Sequence, residues 1–395
     1  MLLDQQLQQL SPTDPSYATD FVEHLLAAAR AVGVSDVHLQ PIEDGLDVRW
    51  RLDGVLQPVG QFPRGEAADV VSRLKVLAEL LTYRTDVPQE GRIRQASGHV
   101  ETRVSTYPTL HGERAVVRFF ASAEQFQYLE DLGFPDDISA GIDRLINETS
   151  GAVLICGPAG SGKTTTVYAC LRELVRRSSG ARSIVSLEDP IEVAVQGVAQ
   201  AQVHVDAGFD LANGLRSLMR QDPEVILVGE IRDQDAAETV FQAALTGHLV
   251  LTTFHAGSAA AAISRLSDMA IEPYLLRSGI LGILSQRLVR RLCRCSVPSN
   301  DETDRLGFGV EQVWLRRGCS DCDQIGYSGR TVLAELLLAQ PGDLGRAILA
   351  CSDVFQLEEL AVQGGMVSLM TRAVEALECG ATSPAEVRRV FGFQR

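Results

Sequence analysis

Apolar residues recur at helical spacing over residues 17–32 (YATDFVEHLLAAARAV), and Gly33 stands where a C-cap ends a helix. From SDVHLQP to VLQPV the rhythm changes to alternation of apolar and polar positions around Gly45 and Asp53-Gly54, which predicts a β-meander with tight turns. A helical stretch at 66–82 leads into further strand-like sequence, GRIRQASGHVETRVSTYP and ERAVVRFF, ending near residue 120. Residues 17–120 therefore read as an α+β domain behind a polar N-terminal tail, residues 1–16.

A boundary segment is expected at 121–135. From residue 136 short apolar runs alternate with helical patterns: GAVLIC, RSIVSLED, EVILVGE and HLVLTTF are each followed by a stretch of period 3.6. Buried strands that alternate with helices predict a wound, mostly parallel sheet, the α/β class. From 335 to 395 the pattern is helical, punctuated by Gly364-Gly365, Gly380 and Pro384.

Composition narrows the function classes. The chain has 395 residues, more than one core accommodates, so two or three domains are expected. With 45% hydrophobic and 22% charged residues it is globular in character. A formal charge of −15 disfavours generic nucleic-acid binding. No apolar run approaches the roughly 18 residues of a membrane span, and no basic leader followed by an apolar stretch opens the chain. Any membrane role is expected to be peripheral. Without a secretory signal, disulfides are not expected among the eight cysteines. Cys156, Cys170, Cys351 and Cys379 are scattered among apolar neighbours, whereas Cys293, Cys295, Cys319 and Cys322 cluster.

The most specific chemistry lies at residues 157–164. Gly157-Pro158-Ala159-Gly160-Ser161-Gly162-Lys163-Thr164 fits G-x-x-x-x-G-K-[ST], after an apolar strand and at the start of the helical run TTTVYACLRELVRR, and with Thr165 these residues form the candidate nucleotide-binding set. Glycines let backbone amides curl around phosphate oxygens, and the helix start adds positive potential. Lys163 neutralises β/γ-phosphate charge, and Thr164 can ligate magnesium. VILVGE at 225–230 is a second apolar strand ending in a carboxylate, with Gly229 where a Walker B aspartate usually stands. SLEDPIE places Glu188, Asp189 and Glu192 at another strand end, suited to a general base or magnesium's outer shell; a solvated acidic turn has the same composition. His248 and His255 flank LVLTTF and are otherwise read as ordinary core or surface histidines.

These blocks in order, GPAGSGKTTT, SLEDPIE, LRSLMRQDPEVILVGEIRD and TGHLVLTTFHA, resemble the Walker A, Asp box, Walker B and His box of the secretion-ATPase superfamily, which drives type II secretion and type IV pilus assembly. SDVHLQP, VRWRLDGVL and RVSTYPTLHGERAVVRF resemble that family's N-terminal PAS-like domain, which packs on the nucleotide site of its own or a neighbouring subunit. The resemblance implies a RecA-like P-loop ATPase domain at 136–395 and a homohexamer that turns ATP and water into ADP and phosphate. Force would pass to an inner-membrane platform protein, from a cytoplasmic position peripheral to that membrane.

Carried over by position, Glu192 activates the attacking water and Glu230 is the magnesium-associated Walker B glutamate. His248 and His255 sense or position the γ-phosphate. Arg92 and Arg103 match N-terminal arginines that reach phosphates, while Arg216 and Arg220 match a pair preceding Walker B. A planar, permanently charged fork suits that task, and surface ion pairing is the alternative.

LVRRLCRC and GCSDCDQIGYSGR occupy the place of the tetracysteine zinc knuckle that secretion and pilus-extension members carry and pilus-retraction members lack, which gives a module at 290–330. Here Cys293-x-Cys295 replaces the usual C-x-x-C, and four thiolates still allow tetrahedral structural zinc; four reduced thiols in a hairpin are the alternative. A further departure is the short stretch before the PAS-like region, where many relatives begin with a docking domain. Rival expectations are the same motor serving a pilus or DNA uptake, a nucleotide-binding scaffold without turnover, and a DNA translocase, which the acidic charge disfavours.

Overall fold

A computed structural model of the chain describes residues 6–65, 69–93, 102–119, 126–339 and 342–392. It divides into two compact units, Met1–Ala123 and Glu124–Arg395.

The first unit packs helices on an antiparallel sheet. α1 (Tyr17–Val32) buries Phe21, Val22, Leu25 and Ala29 on one stripe and ends on Gly33, whose left-handed backbone (φ 79°) returns its N–H to the carbonyls of Ala29 and Arg30. Strands β1 (Asp36–Ile42), β2 (Gly45–Leu52) and β3 (Val55–Phe62) form the expected meander. After α2 (Val70–Leu77), strands β4 (Gln89–Ile93), β5 (Thr102–Thr109) and β6 (Gly112–Phe119) complete a sheet of order β3-β2-β1-β6-β5-β4. The expected helix at 66–82 is shorter, because Asp69 caps it at one end and the chain leaves helical geometry at Ala78. Residues 94–101, read as strand-like, lie outside the described residues. Part of the polar tail belongs to this core, since Leu7 is fully buried against the same cluster as Phe21.

The second unit is the wound sheet. Strands β7 (Gly151–Cys156), β8 (Ile184–Glu188), β9 (Ala199–Gln202), β10 (Val225–Val228) and β11 (Leu249–Phe254) alternate with α3 (Asp136–Ile146), α4 (Lys163–Ser178), α5 (Leu211–Leu218) and α6 (Gln234–Leu245). α7 (Ala259–Asp268) and α8 (Pro273–Gly279) lead into β12 (Ile280–Leu292), and β15 (Tyr327–Leu338) pairs antiparallel with it. The order is β15-β12-β7-β11-β10-β8-β9, with every pair but β12–β15 parallel. All six residues of β7 and all four of β10 are buried, as strands covered on both faces require. Because β7, β11, β10 and β8 run the same way, their carboxyl ends open on one edge, where doubly wound sheets place ligands.

Two boundaries in the second unit differ from the sequence reading. Leu129, inside the expected linker, is buried in the second unit's core beside Ile138 and Tyr168, so 126–135 is part of that unit. Residues 335–338, read as helical, continue β15; the run LAELLL is apolar but for the buried Glu335 and carries no period that separates a buried strand from a helix. The terminal helices begin instead at α9 (Asp343–Leu349) and continue through α10 (Val354–Gln363), α11 (Leu369–Glu378) and α12 (Pro384–Phe391). Between β12 and β15 lies a small hairpin, β13 (Val297–Ser299) with β14 (Val313–Leu315), whose two ends are flanked by the clustered cysteines.

Candidate active site

The phosphate loop leaves β7 at Gly157 and enters α4 at Lys163. Three glycines adopt positive φ (Gly157 150°, Gly160 75°, Gly162 89°), which a side chain would oppose. At Gly157 the space is closed as well: a Cβ would stand 2.4 Å from Ser161 Oγ and 2.5 Å from the Gln286 carbonyl oxygen. The Lys163 ammonium folds back over the loop and donates to the carbonyls of Gly157 (2.9 Å) and Pro158 (3.1 Å). Burial pulls its pKa below the ordinary lysine value, and nearby Glu230 opposes that shift.

From the next two strand ends come Glu230, after β10, and His255, after β11. Glu230 Oε1 lies 2.8 Å from His255 Nε2, and His255 Nδ1 lies 3.5 Å from the Lys163 ammonium. Arg232 donates to Glu230 Oε2 (2.8 Å) and to Asp189 Oδ2 (3.0 Å), tying the end of β8 to that of β10. Its hydrogen bond to Glu230 raises the guanidinium pKa, which fixes its charge there. Thr253 on β11 donates to the Gly229 carbonyl (2.7 Å). Gly229 is tight for a structural reason: a Cβ would meet the Glu188 Cα at 3.3 Å, so a side chain there requires the end of β8 to give by a few tenths of an ångström.

The three carboxylates of SLEDPIE have separate environments. Glu188 is buried and accepts from Tyr168 Oη (2.5 Å), Ser186 Oγ (2.5 Å) and Gln200 Nε2 (3.0 Å), so its lone pairs serve the protein interior. Asp189 is engaged by Arg232. Glu192 lies past the cis Asp189-Pro190 bond, and its backbone N–H donates to Tyr168 Oη (3.2 Å). Lys163, Thr164, Glu188, Asp189, Glu192, Glu230 and His255 line one cavity of about 430 Å³. Ala159 and Gly160 border it on the loop side.

Other expected residues lie elsewhere. His248 precedes β11, whose six residues at about 3.3 Å each separate it from the His255 end. Its Nδ1 contacts the Ala243 carbonyl at 3.0 Å, and it does not border the cavity. The two histidines flanking LVLTTF therefore do not share a site within the chain, because a strand sends its two ends to opposite edges of the sheet. Arg216 and Arg220, at and just past the end of α5, are exposed; Arg216 meets Asn213 (3.3 Å) and Arg220 donates to the Arg216 carbonyl (2.9 Å). In the first unit Arg92 and Arg103 are cross-strand partners, and Arg103 pairs with Glu90 at 3.3 Å.

Sequence reasoning did not pick out Tyr168, Ser186, Gln200, Arg232 or Gln286. The first three serve a buried carboxylate whose environment exists only after β8, β9 and α4 assemble. Arg232 carried a weak signal, since it follows Glu230 by two residues.

The four clustered cysteines form a second centre. Their sulfurs all lie within 4.8 Å of one another, with Cys293–Cys319, Cys295–Cys322 and Cys319–Cys322 separations of 3.8, 3.9 and 3.7 Å. Tetrahedral coordination with zinc–sulfur bonds near 2.3 Å sets sulfur–sulfur edges of about 3.8 Å. Backbone N–H groups of Gly318, Cys319 and Gly326 point at the sulfurs from 3.2–3.3 Å, which favours thiolates. The set can hold a metal ion.

Comparison with known proteins follows the same lines. Residues 12–389 match the family described as Type II/IV secretion system protein. The chain is 39% identical over 384 residues to the type II secretion system protein HxcR of Pseudomonas aeruginosa, covering 96% of this chain and 79% of that one. It is 39% identical over 397 residues to the type II secretion system ATPase E of Vibrio cholerae, covering 98% and 78%. With the type IV pilus assembly ATPase PilB of Thermus thermophilus it shares 37% identity over 385 residues, but spans only 43% of that relative's length. Among solved structures, the Legionella pneumophila ATPase DotB superposes with TM-score 0.67 at 21% identity, covering 94% of each chain, which supports the fold alone.

Proposed function

Because this chain belongs to the Type II/IV secretion system protein family, we propose that it is an ATP-hydrolysing motor subunit that powers assembly of a type II secretion pseudopilus. The observation that carries this reading is the meeting of Lys163, Glu230, His255 and Glu192 in one cavity at the carboxyl ends of the parallel strands.

In this reading the amides of residues 160–164 and the Lys163 ammonium hold the triphosphate tail. To reach a phosphate, the ammonium exchanges its contacts with the Gly157 and Pro158 carbonyls for phosphate oxygens. Thr164 and Glu230 offer the hard oxygen donors that suit magnesium, which would neutralise charge developing on the phosphates. Glu192 takes the proton of the attacking water, the bond from the γ-phosphorus to its bridging oxygen breaks, and ADP and phosphate leave. Glu188 does not compete for this role, since three donors already occupy its carboxylate. His255, placed between Glu230 and Lys163, reads occupancy of the γ-phosphate position. Arg92 and Arg103, cross-strand neighbours in the first unit, are the arginines to which the family resemblance assigns a phosphate contact.

The tetracysteine set is proposed as a structural zinc site, closed by four sulfurs and therefore without an open position for catalysis. The working assembly is proposed as a homohexamer acting on an inner-membrane platform protein from the cytoplasm. Among the described residues no helix is long and apolar enough to cross a membrane. Similarity to the Thermus pilus assembly ATPase supports a second reading, the same motor extending a type IV pilus.

Phosphate release from Mg·ATP by the purified protein tests the reaction. Glu192→Gln is expected to lower kcat by about 10² to 10⁴. Equal rates in the two proteins remove Glu192 as the base.

A further inference from the structure

Behind the phosphate loop, on the side away from the cavity, lies a buried side-chain amide. Gln286 on β12 is 2% exposed, and both ends of its amide are engaged. Nε2 donates to the Ser161 carbonyl at 2.7 Å, and Oε1 accepts from Thr166 Oγ1 at 2.9 Å. Thr166 is itself 2% exposed and sits in the first turn of α4. One side chain thus spans from the apex of the loop to the helix that follows it.

We infer that Gln286 is a positioning residue for phosphate binding, which orients the Ser161–Gly162 peptide so that its N–H faces the triphosphate. The reason is peptide geometry. In a planar trans peptide the carbonyl of Ser161 and the N–H of Gly162 point in opposite directions. Fixing the carbonyl toward β12 therefore aims the amide hydrogen the other way, into the anion cradle. A flipped peptide would present a carbonyl oxygen to the phosphates, replacing attraction by repulsion. The loop is fitted to this clamp: an ideal Cβ on Gly157 would stand 2.5 Å from the Gln286 backbone oxygen, and one on Gly162 3.1 Å from Nε2. The Ser161 carbonyl, which can only accept, turns Nε2 toward the loop, and the Thr166 hydroxyl then donates to the Oε1 left on the other side.

This inference rests on the reading of residues 157–164 as a triphosphate site, and the test separates the two. Steady-state ATP turnover and calorimetric binding of Mg·ADP are measured on the full chain for wild type, Gln286→Glu, Gln286→Leu, Thr166→Val and Thr166→Ser. Gln286→Glu and Gln286→Leu are expected to raise KM for ATP and Kd for ADP on the order of tenfold, with a smaller change in kcat. Thr166→Val raises both a few-fold, and Thr166→Ser restores them. A purely structural role would lower the unfolding midpoint without this split between KM and kcat. Wild-type binding together with unchanged KM and Kd in Gln286→Leu or Thr166→Val overturns the inference; absence of nucleotide binding by the wild type overturns the phosphate-loop reading instead. If the Gln286 variants do not fold, the Thr166 pair decides the question alone.

Discussion

Tyr168 Oη lies 2.5 Å from Glu188 Oε2, and the same hydroxyl oxygen receives the backbone N–H of Glu192 at 3.2 Å. A residue of the phosphate-loop helix therefore holds both the buried end of β8 and the first turn of the loop that carries the proposed base. Burial, followed by the hydrogen bond to Glu188, drives the tyrosine pKa well above its ordinary value, so the hydroxyl keeps its proton and remains a donor. Tyr168→Phe removes one partner of a buried carboxylate, a loss of about 1.5–3 kcal/mol in stability. It also frees the Glu192 loop, so kcat is expected to fall about tenfold with KM for ATP nearly unchanged. Chemical denaturation and steady-state kinetics on the same preparation check both effects.

Gly157 is constrained by shape as well as by backbone conformation. Gly157→Ala forces a methyl group against Ser161 Oγ and the Gln286 carbonyl, with an expected cost of about 1–3 kcal/mol and loss of nucleotide binding. Gly160, also at positive φ, has nothing within 4 Å of an added Cβ, so Gly160→Ala meets backbone strain alone, about 1–2 kcal/mol. Unfolding midpoints of the two variants, compared side by side, separate crowding from strain.

Metal analysis tests the cysteine centre. The folded protein is expected to carry one equivalent of zinc, and Cys322→Ser to lose it along with several degrees of thermal stability. Chelation is expected to lower the unfolding midpoint of the wild type and leave Cys322→Ser unchanged. Zinc well below one equivalent in metal-replete, folded protein contradicts the assignment.

Acid stability has a specific source at Glu386. It lies at the start of α12 and accepts from Arg290 Nη2 (2.7 Å), the Arg290 backbone N–H (2.9 Å) and Arg389 Nη2 (2.6 Å). Burial alone would raise its pKa; the bonds from Arg389 and Arg290 overcome that and hold it at about 2, against an ordinary 4.5. With the folded value depressed, the stabilisation is complete above the unfolded pKa and is lost as pH falls from about 4.5 toward 2. Denaturation midpoints across that window are expected to drop in the wild type, and Glu386→Gln to reduce the slope.

How far the sequence foretells this molecule depends on whether a feature is local. The phosphate loop is legible because strand, glycines, lysine and helix are contiguous, and the run from Gly157 to Thr164 contains the whole device. The alternating meander and α1 with its Gly33 cap are local in the same sense. Glu188 was not separable from Glu192 by spacing, since the three donors that occupy Glu188 come from α4, β8 and β9. The separation of His248 from His255 was open to the sequence, since HLVLTTF reads as a strand whose two ends lie on opposite edges of a sheet, but the block resemblance assigned both to the γ-phosphate. Gln286 lies more than a hundred residues from the loop it clamps, and nothing in the local pattern around it marks that contact.

The central claim is that the backbone amides of 160–164 and the Lys163 ammonium bind a triphosphate beside Glu230 and Glu192. Its most direct test is calorimetric titration of a non-hydrolysable Mg·ATP analogue into wild type and Lys163→Ala. Saturable binding at one site per chain, weakened at least tenfold in Lys163→Ala, is the predicted result. No heat of binding with well-folded wild-type protein, or equal affinity in the two, would contradict it.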